Sequence, residues 1–235
     1  MTFAEHVLSF YKNLEIRSDL PEGVVVLNPF ANAESLLYCE QFYKKFYNDK
    51  NERILIIGIN PGRHGGGVTG IPFTDPVKLE QRCGIQNPFK KKAELSADFI
   101  YTMIEEYGGP ENFYDRFYFS AISPLGFTKD GKNLNYYDIK ELQLALKEFI
   151  VDSLQKQLTF GISTSVCYCL GEGENYKYLN ALNRELGIFQ KIVPLAHPRF
   201  IMQYRRKKLD EYVNDYLVKL RFNPLQFITR TRIRH

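Results

Sequence analysis

Four short apolar runs stand out along the chain: residues 54–60 (ILIIGIN), 117–124 (FYFSAISP), 165–171 (SVCYCLG) and 191–197 (KIVPLAH). Each is rich in β-branched or aromatic residues and ends on a turn-forming or polar residue, the pattern of a buried strand. Around them apolar residues recur at helical spacing. The N-terminal third reads as helical, over residues 3–14 and 33–48. Residues 95–107 follow, with Pro110 beyond as a stop. Residues 136–158 carry a stripe of Leu142, Ala145, Leu146, Phe149 and Ile150; 175–186 end at Gly187, a C-cap; 203–220 are the last helix. Strands alternating with helices predict parallel strands with right-handed crossovers, covered on both faces. The expected fold is α/β: three α/β/α layers around a central four-stranded parallel sheet. Ligand sites in such sheets lie outside the carboxyl ends of the strands. Asn60, Ser123 and His197 fall there.

No repeat, low-complexity segment or linker divides the 235 residues, so one domain over 1–235 is expected. It comprises an N-terminal helical segment to about residue 50, a core over about 51–221 and a short basic tail. Hydrophobic residues make up 44%, which excludes a disordered chain. No apolar run approaches the ~18–20 residues of a membrane helix. The N-terminus, MTFAEHVLSFYKNLEI, lacks a basic region followed by an apolar one, so no signal peptide and a cytoplasmic location are expected. Cys39, Cys83, Cys167 and Cys169 form no C-x-x-C pair and read as small buried residues. The four histidines show no metal-ligand spacing. Net charge is +4, but unevenly placed: residues 199–235 hold ten Lys/Arg against three Asp/Glu. A positive end on a near-neutral body suits a polyanion, although a solvated helix face with a ragged tail would look the same.

The segment after the first strand, NPGRHGGGVTGIPFTDP, packs five glycines and three prolines into 17 residues. Such a loop brings its backbone close to something. It lacks the Gly-Lys-Ser/Thr end of a P-loop. Gly65, Gly67 and Gly70 match G-x-G-x-x-G, but the first lies five residues past Asn60, no helix pattern follows, and the chain reads FKKK where a ribose-binding acid belongs. A dinucleotide-binding enzyme is therefore only a remote alternative.

Taken whole, GINPGRHGGGVTGIPF resembles motif one of the SMUG branch of the uracil-DNA glycosylase superfamily, G-[IM]-N-P-G, a glycine-containing stretch, then T-G-[VI]-P-F. Gly58, Asn60, Pro61, Gly62, Thr69, Gly70, Pro72 and Phe73 match it. Ser123-Pro124-Leu125 with Gly131-Lys132-Asn133-Leu134 resembles a second signature, and His197-Pro198 the histidine-proline of the branch. The likeness runs from about residue 54 to 205, is nearest a bacterial SMUG-like subgroup, and leaves out the first 50 or so residues.

The resemblance implies a monofunctional DNA glycosylase of base excision repair. It would act as a monomer on single- or double-stranded DNA, flipping out uracil and hydrolysing its glycosidic bond. Such an enzyme needs a π-face, a reader of the base edge, a water holder and an anion stabiliser. The matched positions supply Phe73 for stacking, Asn133 for uracil O4 and N3–H, Asn60 for the water and His197 for charge developing on O2. Phe73, Asn133 and His197 also have plain structural readings: a core ring, turn chemistry and a strand-end cap. Gly62 stands where strict uracil enzymes carry a tyrosine, and it leaves space for 5-hydroxymethyluracil or deaminated purines such as xanthine. Gly70 shares the base-binding loop. Beyond His197, apolar Phe200, Ile201 and Met202 are candidate wedges for the vacated stack, and Arg199, Arg205, Arg206, Lys207 and Lys208 are candidate phosphate contacts. No lysine occupies a motif position suited to a Schiff base. The spacing of an iron–sulfur cluster, carried by some branches, is missing, and no cofactor or metal is implied. A catalytically weak nucleic-acid-binding module on the same fold is the alternative.

Overall fold

The computed structural model describes residues 1–221. In chain order its strands are β1 (Val24–Leu27), β2 (Arg53–Gly58), β3 (Phe117–Ala121), β4 (Gly126–Lys129), β5 (Lys132–Leu134), β6 (Ile162–Leu170) and β7 (Ile192–Leu195). Its α-helices are α1 (Phe3–Lys12), α2 (Ala33–Phe46), α3 (Gly66–Thr69), α4 (Pro76–Gln81), α5 (Leu95–Tyr107), α6 (Gly109–Arg116), α7 (Lys140–Ala145), α8 (Lys147–Leu158), α9 (Glu174–Leu186), α10 (Pro198–Tyr204) and α11 (Leu209–Arg221).

Four strands pair in parallel in the order β3-β2-β6-β7, the expected sheet. Alternation along β3 shows why both faces must be covered. Tyr118 points to one face, where its ring meets Phe3 of α1 at 5.2 Å. Phe117 and Phe119 point to the other, where they meet Phe113 of α6 at 5.0 and 5.4 Å. The N-terminal helices are thus part of the layered core. Arg53, fully buried where β2 begins, ties them down by donating from Nη2 to Asp49 Oδ2 at 2.7 Å.

The chain leaves β2 towards β3 on one side and returns as β6 on the other. That reversal opens a crevice at the carboxyl ends of β2 and β6, where an α/β sheet takes its ligand.

Three expectations needed revision. The N-terminal third is not all helical: β1 pairs antiparallel with β4, and β4 with β5, in a small second sheet. The run Val24-Val25-Val26, bounded by Gly23 and Asn28-Pro29, carried that strand signal. The helix expected over 136–158 starts late and breaks at Leu146. Residues 135–138 are closed as a turn by Asp138, whose Oδ2 accepts from Asn135 N at 2.8 Å. The last helix is two, because Pro198 starts α10 early and Arg205, at φ −133°, ends it before a 3-10 turn over Arg206–Lys208. All four cysteines are free and buried. Arg230, Arg232 and Arg234 of the basic tail lie outside the described residues. No described helix is long and apolar enough to cross a membrane.

Candidate active site

The carboxyl ends of the parallel strands open onto a cavity of about 780 Å³. Asn60, Gly62, Gly70, Phe73, Asn133, His197, Arg199 and Phe200 all line it, so residues spread over most of the chain meet in one place.

Asn60 follows β2 and is fixed by both ends of its amide. Oδ1 accepts from Tyr136 N at 3.0 Å, and Nδ2 donates to Leu134 O at 3.1 Å and to Pro61 O at 3.4 Å. One Oδ1 lone pair remains for a water proton. Asn133 sits on the β5 arm of the small sheet, opposite Thr128. Its Oδ1 accepts from Arg63 N at 3.2 Å, which sets the flip of the amide and turns Nδ2 towards Gly62. Phe73 is held at φ 56°, one of two described non-glycine residues in left-handed backbone. Its ring packs on Phe119 at 5.3 Å and lies over Gly58, where any β-carbon would come within 2.7 Å of the ring tip. A backbone of that kind costs ~1–3 kcal/mol and persists where the surroundings over-determine it.

The glycine loop is braced from within. Thr69 Oγ1 donates to Thr74 O at 2.6 Å and accepts from Ile71 N at 3.2 Å. Asp75, fully buried, caps α4 through Oδ1 and accepts Glu94 N through Oδ2 at 2.8 Å. Gly70 is in left-handed backbone, and a β-carbon there would press on Phe30 and Cys39. The position is glycine for the turn and for packing, even though it borders the cavity. His64 is also at the rim, its Nε2 3.1 Å from Lys92 Nζ.

His197 caps α10: its Nδ1 accepts from Arg199 N at 3.2 Å. Burial and the Arg199 cation hold the imidazole down to about 4, so it is neutral at physiological pH. With Nδ1 accepting, the proton is on Nε2, which is therefore a donor. The preceding residue is anchored as well, since Tyr216 of α11 donates its hydroxyl to Ala196 O.

A family model for the uracil DNA glycosylase superfamily matches residues 44–221. The chain belongs to that superfamily. Its structure is also similar to the crystal structure of wild-type SMUG2 from Pedobacter heparinus, with a TM-score of 0.92 at 47% identity, over 94% of this chain and 97% of that one. It is a SMUG-like DNA glycosylase with the fold of the superfamily.

The glycosylase structure divides the candidate wedge residues. Ile201 and Met202 are 0% and 8% exposed, because α10 packs that face on α5. Both belong to the core, which corrects their expected place at a DNA surface. Phe200 is 40% exposed and at the cavity mouth. One turn on is Tyr204, 66% exposed, its ring 5.8 Å from Phe200, and the Arg205 guanidinium lies 5.2 Å from the Phe200 ring. Arg199, Arg205, Arg206, Lys207 and Lys208 are all exposed, with Lys208 paired to Glu211 at 3.1 Å.

Sequence reasoning missed other cavity residues. Tyr204 follows Phe200 at i+4, a signal that was present. Tyr11 and Phe30 stack with centroids 4.0 Å apart and form a wall from the N-terminal segment. Glu94 faces Gly62 and Asn133 from the start of α5. Nothing local in its KKKAE setting pointed there. Among the described residues, no cluster of three or more His, Cys, Asp or Glu could hold a metal ion.

Proposed function

We infer that the enzyme is a monofunctional glycosylase that hydrolyses the N-glycosidic bond of uracil in DNA, and that its pocket admits larger bases of the same type. The observation carrying this reading is the meeting of Asn60, Phe73, Asn133 and His197 around one cavity. A flipped uracil stacks on Phe73 and lays its N3–H and O4 edge on the Asn133 amide, whose free Oδ1 lone pair and Nδ2 hydrogens match them. As the C1′–N1 bond breaks, negative charge grows on the base. Neutral His197 donates from Nε2 to O2, a preorganised donor aimed at developing charge. Asn60 holds the water that reaches C1′ on the opposite side. An amide is a weak base, so positioning supplies most of what it contributes.

Gly62 supports the wider range. A β-carbon there would lie 3.3 Å from Asn133 Nδ2, so any side chain would crowd the edge reader. Its absence favours 5-hydroxymethyluracil and deaminated purines such as xanthine. None of the described residues lining the cavity is a lysine, which favours base release without strand cleavage.

The test uses end-labelled oligonucleotides carrying a single uracil, 5-hydroxymethyluracil or xanthine, each treated with alkali after incubation. Cleavage at the lesion only after alkali, lost in an Asn60→Ala, His197→Ala double variant, is expected. Nicking without alkali would refute the monofunctional reading, and cleavage of uracil alone would refute the wider pocket.

A further inference from the structure

Glu94 has no place in the machinery so far, yet it is set in it. A β-carbon at Gly65 would lie 2.1 Å from Glu94 Oε2, so that oxygen sits directly on the glycine loop. There the carboxyl lies within the influence of the backbone N–H groups of His64 and Gly65, which favour its charged form. The other oxygen, Oε1, reaches the point where a Gly62 β-carbon would stand, within 3.5 Å, and Asn133 Nδ2 reaches the same point within 3.3 Å. Two polar groups from opposite flanks thus converge on the corner of the pocket that receives the base edge.

We propose that Glu94 is a specificity-determining residue: its neutral carboxyl donates from Oε1 to the keto oxygen of the flipped base, beside the donor supplied by Asn133. This rests on the glycosylase reading above and adds to it a substrate class, bases with a keto oxygen at that corner. A keto oxygen has two lone pairs, and two donors satisfy both. An amino group there would instead face donors. With Oε2 seated against Gly65, Oε1 is the oxygen left to face the base.

The charge on Glu94 then gates the reaction. Burial and the nearby Asp75 carboxylate push its carboxyl up to about 7, against the pull of Arg199 and of the two backbone donors. Once ionised, Glu94 loses its donor and places negative charge beside a leaving group that is itself becoming negative. The groups facing it are Asp75 at the start of α4, Arg199 on α10 and the glycine loop at His64, whose ring is in turn flanked by Arg63 and by Lys92 before α5. His64 is lowered by burial, Lys92 and Arg63, and His197 titrates at about 4, so neither histidine changes charge in the window above neutrality.

The experiment is single-turnover release of uracil from an oligonucleotide between pH 5.5 and 9, for wild type, Glu94→Gln and Gly65→Ala. Wild type should lose rate above about pH 7, approaching tenfold per pH unit if only the neutral form works. Glu94→Gln keeps a permanent donor and should lose that descending limb. Gly65→Ala leaves the carboxyl but denies it its seat, and should lower the rate at every pH. Melting temperatures give a second readout. A raised carboxyl stabilises the fold below its unfolded value and loses that contribution as pH rises through about 7, so Glu94→Gln should gain on wild type between pH 5 and 8. An identical descending limb in wild type and Glu94→Gln overturns the proposal. Wild type that releases no uracil at any pH overturns the underlying reading instead.

Discussion

The two walls of the cavity are built differently. The glycine-loop wall is braced at almost every polar atom: Asn60 at both ends of its amide, Asn133 by Arg63, Thr69 and Asp75 within the loop. Phe73 is fixed by the backbone itself. Beyond the fixed imidazole of His197 that begins it, the α10 wall presents an exposed phenylalanine, an exposed tyrosine and a row of exposed cations. The contrast separates two tasks. In the function proposed above, rigid, hydrogen-bonded groups would discriminate a base and meet the transition state, while exposed surface side chains would hold a phosphate backbone that carries no base identity.

Substitutions on the two walls should therefore fail in different ways. The largest effect is expected from His197→Ala, which removes a donor aimed at developing charge and should lower single-turnover uracil release by ~10²–10³. Binding to abasic DNA should change little, and a parallel loss of both would show that His197 acts by holding the site together. Phe73→Ala comes next. Base–aromatic stacking is worth ~1–3 kcal/mol, so a loss of about 5- to 150-fold is expected, in uracil and larger bases alike. Gly62→Tyr should act selectively, removing 5-hydroxymethyluracil cleavage while uracil release falls less. An equal fall on both substrates would deny Gly62 a role in selection. The smallest effect on chemistry is expected from alanine at Arg205, Arg206, Lys207 and Lys208 together. Base release at saturating DNA should persist, while the salt dependence of binding flattens by ~0.9 for each duplex phosphate that is no longer neutralised. An unchanged salt slope would remove this segment from the DNA footprint.

The same contrast runs through what the sequence made legible. The four sheet strands announced themselves as apolar runs, and the motif residues at their ends were picked out by their resemblance to the SMUG branch. Both signals are local. Glu94 was invisible because its meaning comes from Gly62, Gly65 and Asn133, which lie far along the chain and are brought to it only by folding. Tyr11 and Phe30 were hidden for a related reason: each is an ordinary apolar position in its own segment, and only the packing of α1 and of the 3-10 turn at Pro29–Ala31 turns them to the cavity. The burial of Ile201 and Met202 shows the opposite failure. An apolar stretch after His-Pro suggested a wedge, but a helix has two sides. The side that packs on α5 had first claim on two of its three apolar residues.

One hydrogen bond bears on how the enzyme would fail when heated. The Tyr216 hydroxyl on Ala196 O makes the position of His197 depend on the last described helix, α11, staying docked. Single helices docked on a core can open as cooperative units below the global transition. The molecule should then go silent in two stages. The imidazole would drift from its aim while the central sheet is still intact, and the sheet would melt at a higher temperature. Cooling after the first stage alone would return full activity, because only a docking step has to be repeated.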